Sequence, residues 1–264
     1  MNMYIDYTRS LIIIAVVPAI ALMVYIFSKD KVEKEPAGLL LKLALLGVVS
    51  TFLATATEWL GSLLISGLGA KTLAYMVVEN FIVVGLSEEF FKYIVMKKVT
   101  WNDKAFNYTF DAVVYAVFVS LGFALWENIL YSFSYGMTTA LVRAVTSIPG
   151  HATFGVFMGL YYGLAKKADV EGRGAVSKSY RLMAVVIPVL LHGAYDFIAS
   201  CKGILSTIVF IGFIAVLFFS AFRSVNRMSE RDSVLISADD TPVSETEGDE
   251  NCSAQAGKHY LDKE

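Results

Sequence analysis

Leu11-Ile-Ile-Ile-Ala-Val-Val-Pro18-Ala-Ile-Ala-Leu-Met-Val-Tyr25-Ile-Phe27 contains no charged residue. With its flanks it forms a run over 10–28 that matches the roughly 20 apolar residues needed to cross a bilayer as a helix. No small-residue cleavage pattern follows it. Lys29, Asp30 and Lys31 follow instead, so the run reads as a retained spanning helix rather than a signal peptide. Comparable runs lie at 39–66, 72–97, 111–134, 138–165, 180–200 and 204–222. The sequence lacks the short alternating strands of a closed barrel. Lipid cannot satisfy free backbone groups, which leaves helices. The predicted fold is therefore all-α, a polytopic transmembrane bundle of about seven spans in the cell membrane. The second run is long and carries Glu58; it either tilts or ends in an interfacial turn at Gly67–Gly69.

Composition and charge agree. Of 264 residues, 56% are hydrophobic and only 17% charged, against about 25% charged in soluble domains. The net charge of -2 offers no basic surface for nucleic acid. Lysines and arginines concentrate after the first, third, fifth and seventh runs, whereas the opposite loops hold only Arg9, Lys71 and Lys202. The positive-inside rule then places the N-terminus outside and the C-terminus in the cytoplasm. The segmentation predicts a membrane domain over 1–223. From Ser224 the composition turns to Ser, Thr, Asp and Glu, predicting a disordered acidic cytoplasmic tail over 224–264. On this topology Cys201 and Cys252 fall on opposite sides of the membrane and do not pair.

Ionisable residues inside spanning helices are costly and mark function. The third run holds Glu79 and then Gly85-Leu-Ser-Glu88-Glu89-Phe-Phe-Lys92; the fourth holds Phe123-Ala-Leu-Trp-Glu127. The fifth holds Arg143 and His151, directly after Pro149-Gly150, and the sixth His192-Gly-Ala-Tyr-Asp196. Residues four apart lie about 40° apart on one helix face, so Glu88 shares a face with Lys92, and His192 with Asp196. Zinc takes His nitrogen and carboxylate oxygen, with three protein ligands in catalytic sites. Candidate ligands are Glu89, Glu127, His151 and His192, with the other member of the Glu88–Glu89 pair as base. A metal-free arrangement, in which a glutamate and a histidine activate water, also works. Other residues read as structural. Pro149-Gly150 kinks a long helix, Arg143 pairs with Glu79, and Glu58 sits at an interface. Tyr131, Tyr135, Tyr161 and Tyr162 anchor helices at the headgroups.

The four motifs, in this order on successive runs, resemble the PrsW family of membrane-embedded proteases, relatives of the CAAX-prenyl-protease superfamily. The resemblance covers about residues 75–200. It implies an intramembrane endopeptidase that hydrolyses a peptide bond in a membrane-anchored protein, such as an anti-sigma factor in a stress response. It implies catalytic roles for Glu88, Glu89, Lys92, Glu127, His151, His192 and Asp196, with or without Zn2+. The same carboxylates and histidines would also suit a proton-coupled transporter or a non-catalytic membrane scaffold. Oligomeric state is not legible in the sequence.

Overall fold

The computed structural model describes residues 2–70 and 72–235. Among them there is no β-sheet. The chain forms α1 (Asn2–Lys29), α2 (Ala37–Ile65), α3 (Leu73–Val77), a π-helical segment (Val78–Leu86), α4 (Ser87–Thr100) and α5 (Asp111–Tyr135). It continues with α6 (Met137–Val145), α7 (Ser147–Val170), α8 (Gly174–Ser200) and α9 (Ile204–Glu230). Among the described residues, five segments are long and apolar enough to cross a bilayer: Asp6–Lys29, Ala37–Leu68, Asp111–Tyr135, Gly174–Ser200 and Ile204–Glu230. Their outer faces expose large apolar side chains, among them Leu41, Leu63, Leu182, Leu205 and Val216. This is a multi-pass membrane protein.

Two of the expected runs are not simple helices. The third is one helical path over 73–100 whose middle nine residues are π-helical. A π segment adds a residue per turn, and such segments concentrate at functional sites. The segment ends immediately before Glu88 and Glu89, which open α4. The fifth run is divided: α6 stops at Val145 and α7 starts at Ser147. The expected kink is thus a break, and Pro149 falls in the first turn of α7, where a missing N–H costs no internal bond. The second run ends in a 3-10 turn over Ser66–Leu68, and Gly69 takes φ of 77°, a conformation that favours glycine.

Helix α5 is the hub, buried almost all round from Asp111 to Ala124. It packs on α7 through Gly155, Gly159 and Gly163, one per turn. A Cβ added to these three would lie 2.9 Å from Ser120 Oγ, 2.5 Å from Val113 Cα and 2.7 Å from Thr109 O. Small residues at this spacing let two backbones touch, which is how helices associate in lipid. His151 lies one turn before Gly155 on the same stripe and so faces α5. The partner surface repeats the device: a Cβ on Gly47 of α2 would lie 2.1 Å from Val119 O, and one on Gly122 of α5 2.1 Å from Ala44 O.

The expected boundary at 224 falls too early. Helix α9 continues to Glu230, and the next residues fold back onto the turn before α5. Asp232 Oδ1 accepts from Phe110 N at 2.8 Å and from Thr109 Oγ1 at 2.9 Å, capping α5; Leu235 N donates to Asn107 O at 2.7 Å. The rest of that tail, with Cys252 and His259, lies outside the described residues.

Candidate active site

Four elements bring the ionisable residues to one point. The first turn of α4 supplies Glu88, Glu89 and Lys92; α5 supplies Phe123 and Glu127; α7 supplies His151; α8 supplies His192 and Asp196. Close approach fixes α8 against the π segment: a Cβ on Gly193 would lie 2.4 Å from Phe81 Cδ1, and one on Gly85 3.2 Å from Val189 O. The residue beside Gly193 is His192.

Lys92 stands at the centre and is wholly enclosed. Its Nζ donates to Glu89 Oε1 at 2.8 Å and to Glu88 Oε2 at 3.0 Å, and lies 3.1 Å from His151 Nδ1. It also sits 4.0 Å from the centre of the Phe123 ring, a cation–π contact strengthened by exclusion of water. Phe123, a turn before Glu127, thus has a role of its own. An ammonium has three protons and no lone pair, so toward Lys92 the His151 Nδ1 is an acceptor. The proton of His151 is then on Nε2, which lies 3.0 Å from Glu127 Oε2.

His192 is held in a similar way. Its Nδ1 lies 2.9 Å from Glu89 Oε1 and its Nε2 3.2 Å from Asp196 Oδ2. Phe154 stacks on its ring, 4.8 Å between centroids and 20° between planes, and meets His151 edge-on at 5.9 Å. Nothing in the sequence reading marked Phe154; its position three residues after His151 on an otherwise apolar face looks like ordinary core.

Glu88 and Glu89 differ in access. Both are buried, but Glu88 lines a cavity of about 490 Å³, whereas Glu89 lies behind it. Glu89 Oε2 is buried without a hydrogen-bond partner. The same cavity is lined by Glu58, Glu79, Glu127, Arg143, His151, His192 and Asp196. Three expectations are overturned here. Arg143 does not pair with Glu79: its Nη2 meets Glu127 Oε2 at 3.0 Å, its Nε donates to Asn128 at 3.1 Å, and Tyr131 lies under its guanidinium. Glu79 instead accepts from Ser62 Oγ at 2.9 Å. Glu58 faces the cavity rather than an interface, and Tyr162 is no headgroup anchor. It is fully buried and bonded to Thr100 at 2.9 Å.

One ligand atom each from Glu88, Glu89, His151 and His192 lies within 4.8 Å of the other three. The fit to a metal can be tested on the chemistry around them. Both histidines have Nε2 held by a carboxylate, leaving both Nδ1 atoms facing the glutamate pair, the arrangement that outer carboxylates impose on metal-binding histidines. The unpartnered Glu89 oxygen adds a donor, so the set fits once the Lys92 ammonium, which occupies the lone pair of His151 Nδ1 here, turns to the glutamates alone. Glu127, expected among the ligands, is not in this group. It stands on the far side of His151, bound to Nε2 and Arg143.

The sequence model of a family described as PrsW family intramembrane metalloprotease matches residues 35–222, which include every residue of this cluster. The chain belongs to that family. Curated relatives bearing the name "Protease PrsW" agree. The one from Geobacillus kaustophilus is 36% identical over 193 residues, 73% of this chain and 81% of its own length. That from Clostridioides difficile is 35% identical over 211 residues, 78% and 86% of the two chains. The Bacillus subtilis relative is 32% identical over 218 residues, 81% and 95%. No solved structure matches. This PrsW-family member is accordingly a membrane protease, and its protein substrate meets it in a lipid setting.

Proposed function

We propose that the chain cuts a peptide bond of a membrane-anchored protein at the Glu88 end of this cavity, with Glu88 as the base that takes a proton from water. The observation that carries this is the difference in access: Glu88 lines the cavity between His151 and His192, and Glu89 does not. Its Oε2 lies 3.9 Å from His151 Nδ1 and 3.8 Å from His192 Nδ1, so one water can reach all three groups.

Glu89 then serves to hold Lys92 and His192. Lys92 orients both carboxylates. His192, held by Glu89 at Nδ1 and by Asp196 at Nε2, keeps one orientation on the wall of the cavity beside Glu88. Glu127 and Arg143 keep His151 in one tautomer and one orientation. Glu89, His151 and His192 are the residues that would hold a Zn2+ ion, leaving Glu88 free to manage the proton. A bound divalent metal supplies Lewis-acid polarisation and a more acidic water.

We further place the crossings at seven, with the paths over 73–100 and α7 completing the five apolar segments, the N-terminus outside and the C-terminus in the cytoplasm. The substrate class that suits this role is a protein with one spanning segment, an anti-sigma factor of a stress response being the form the family resemblance implies.

The test compares new protein N-termini in membranes of cells expressing the wild type, Glu88→Gln or Glu89→Gln. Termini that map near spanning segments and vanish in both variants support the reading. Identical profiles from well-folded, equally abundant proteins refute it. Metal content of the purified protein, measured directly for wild type and His151→Ala/His192→Ala, addresses zinc independently of activity.

A further inference from the structure

Helices α2 and α5 touch at Gly47 and Gly122 and then part. One turn and more beyond the contact, a groove of about 690 Å³ opens between them, lined by Thr51, Phe52, Thr55, Ala56, Trp59 and Leu60 from α2 and Trp126 and Leu130 from α5. Thr51, Thr55 and Leu130 also line the cavity that holds Glu88 and His151. The catalytic cavity therefore adjoins an apolar groove on the outer face of the bundle, with Thr51, Thr55 and Leu130 standing between the two. Phe52, Thr55, Ala56, Trp59, Leu60 and Leu130 are exposed along it.

One group there has no use in contact with lipid. Trp126 Nε1 is shielded and has no hydrogen-bond partner. An N–H left unpaired in an apolar setting is costly, and an indole can only donate. A helix in lipid keeps all its backbone bonds internal. A peptide bond inside such a helix can be attacked only after local unwinding, which frees carbonyl oxygens that need donors. A donor in the groove beside the cavity meets that need.

We propose that the spanning segment of the substrate enters from the lipid through the α2–α5 groove, with Trp126 donating its indole N–H to a backbone carbonyl released as the segment unwinds. This rests on the protease reading above and names its entry path.

The test uses the host's own membrane proteins as substrates, read as the new N-termini that depend on Glu88. Ala56 points into the groove and is exposed, so a larger apolar residue there meets lipid rather than the packed core. The series Ala56→Leu, Ala56→Phe and Ala56→Trp lowers those termini stepwise, by at least about tenfold at Trp, if the groove is the path. Leu182→Trp on the lipid-facing side of α8 leaves them unchanged. β-(3-Benzothienyl)alanine in place of Trp126 keeps the bicyclic ring and removes the N–H; it lowers them by roughly two- to tenfold, the equivalent of one net hydrogen bond. A second measurement needs no turnover. In a Glu88→Gln chain, p-benzoylphenylalanine in place of Leu130 crosslinks to the spanning segments of the proteins that the wild type cuts, and in place of Leu182 it does not. Full cleavage by Ala56→Trp overturns the entry path. So does an adduct at Leu130 with only lipid or a second copy of this chain, or capture of those proteins at Leu182. A wild type that yields no Glu88-dependent termini defeats the protease reading itself.

Discussion

Replacing Lys92 by methionine keeps the length of the side chain and removes its charge. The ammonium it removes lies 3.0 Å from Glu88, 2.8 Å from Glu89 and 3.1 Å from His151, with no exposure to solvent. Taking away one partner of a buried ion pair destabilises by about 3–5 kcal/mol, because the other charge stays buried without compensation. Two carboxylates lose their cation here, which places Lys92→Met at the upper end, about 5 kcal/mol. A loss of that size rivals the whole stability of many domains, about 5–15 kcal/mol. Neutralising Glu89 as well removes one of the two stranded charges. The double variant Glu89→Gln/Lys92→Met is therefore expected to be about 2 kcal/mol more stable than Lys92→Met, within the range of coupling between contacting residues. Unfolding in mixed micelles titrated with SDS, followed by tryptophan fluorescence, measures both, and cleavage is absent from both. The reasoning fails if Lys92→Met lies within about 1 kcal/mol of wild type, or if the double variant is no more stable than the single one.

Four further outcomes are expected. Asp196→Asn loosens His192 and lowers cleavage by about 10- to 100-fold, the usual effect of removing a carboxylate behind such a histidine; the rate of substrate cleavage in proteoliposomes checks it. Gly159→Ala drives a Cβ into the backbone of Val113, costs about 1–3 kcal/mol and lowers Tm, whereas Gly38→Ala, with nothing within 4 Å, does not. Asp232→Ala removes the cap on α5 and costs about 1 kcal/mol, again read as Tm. In the loop between α1 and α2, burial raises Asp30 and pushes the Glu35 carboxyl up to about 7 from its ordinary 4.5, while the Tyr115 hydroxyl that it accepts works the other way. The folded state then holds a proton that the unfolded state releases. The contribution is complete below about pH 4.5 and is lost as pH rises through about 7. Tm in detergent should fall between pH 5 and 8, and Glu35→Gln should flatten the slope.

Hydrophobic length and ionisable exceptions made the helical class legible and picked out the residues that the fold gathers into one cluster, because lipid penalises each charge that has no purpose. What the residues do to one another was less so. Spacing could put Glu88 and Lys92 on one face, but not show that Lys92 also reaches His151 across two helices. Arg143 was misassigned because its partner, Glu127, lies on another helix, and charge alone cannot choose between two glutamates. Periodicity also missed the division at Thr146, since an apolar run continues through a helix break without changing composition. The stripe His151, Gly155, Gly159, Gly163 was readable as four residues one turn apart, and it would have predicted which face of α7 meets α5. The π segment has no comparable signature in spacing or composition.

That stripe also limits how the enzyme can vary. The separation of α5 and α7 is set by main chain against main chain, and main chain has no rotamers with which to repack. The distance between Glu127 and His151 is thus a fixed dimension of the protein rather than an adjustable one. Helix α2 is different: its backbone touches α5 at Ala44 and Gly47, and the residues it gives to the cavity, Thr51, Thr55 and Glu58, lie beyond that contact. A chain redesigned to cut a different segment could change there, on a wall that can be recut without moving the tools.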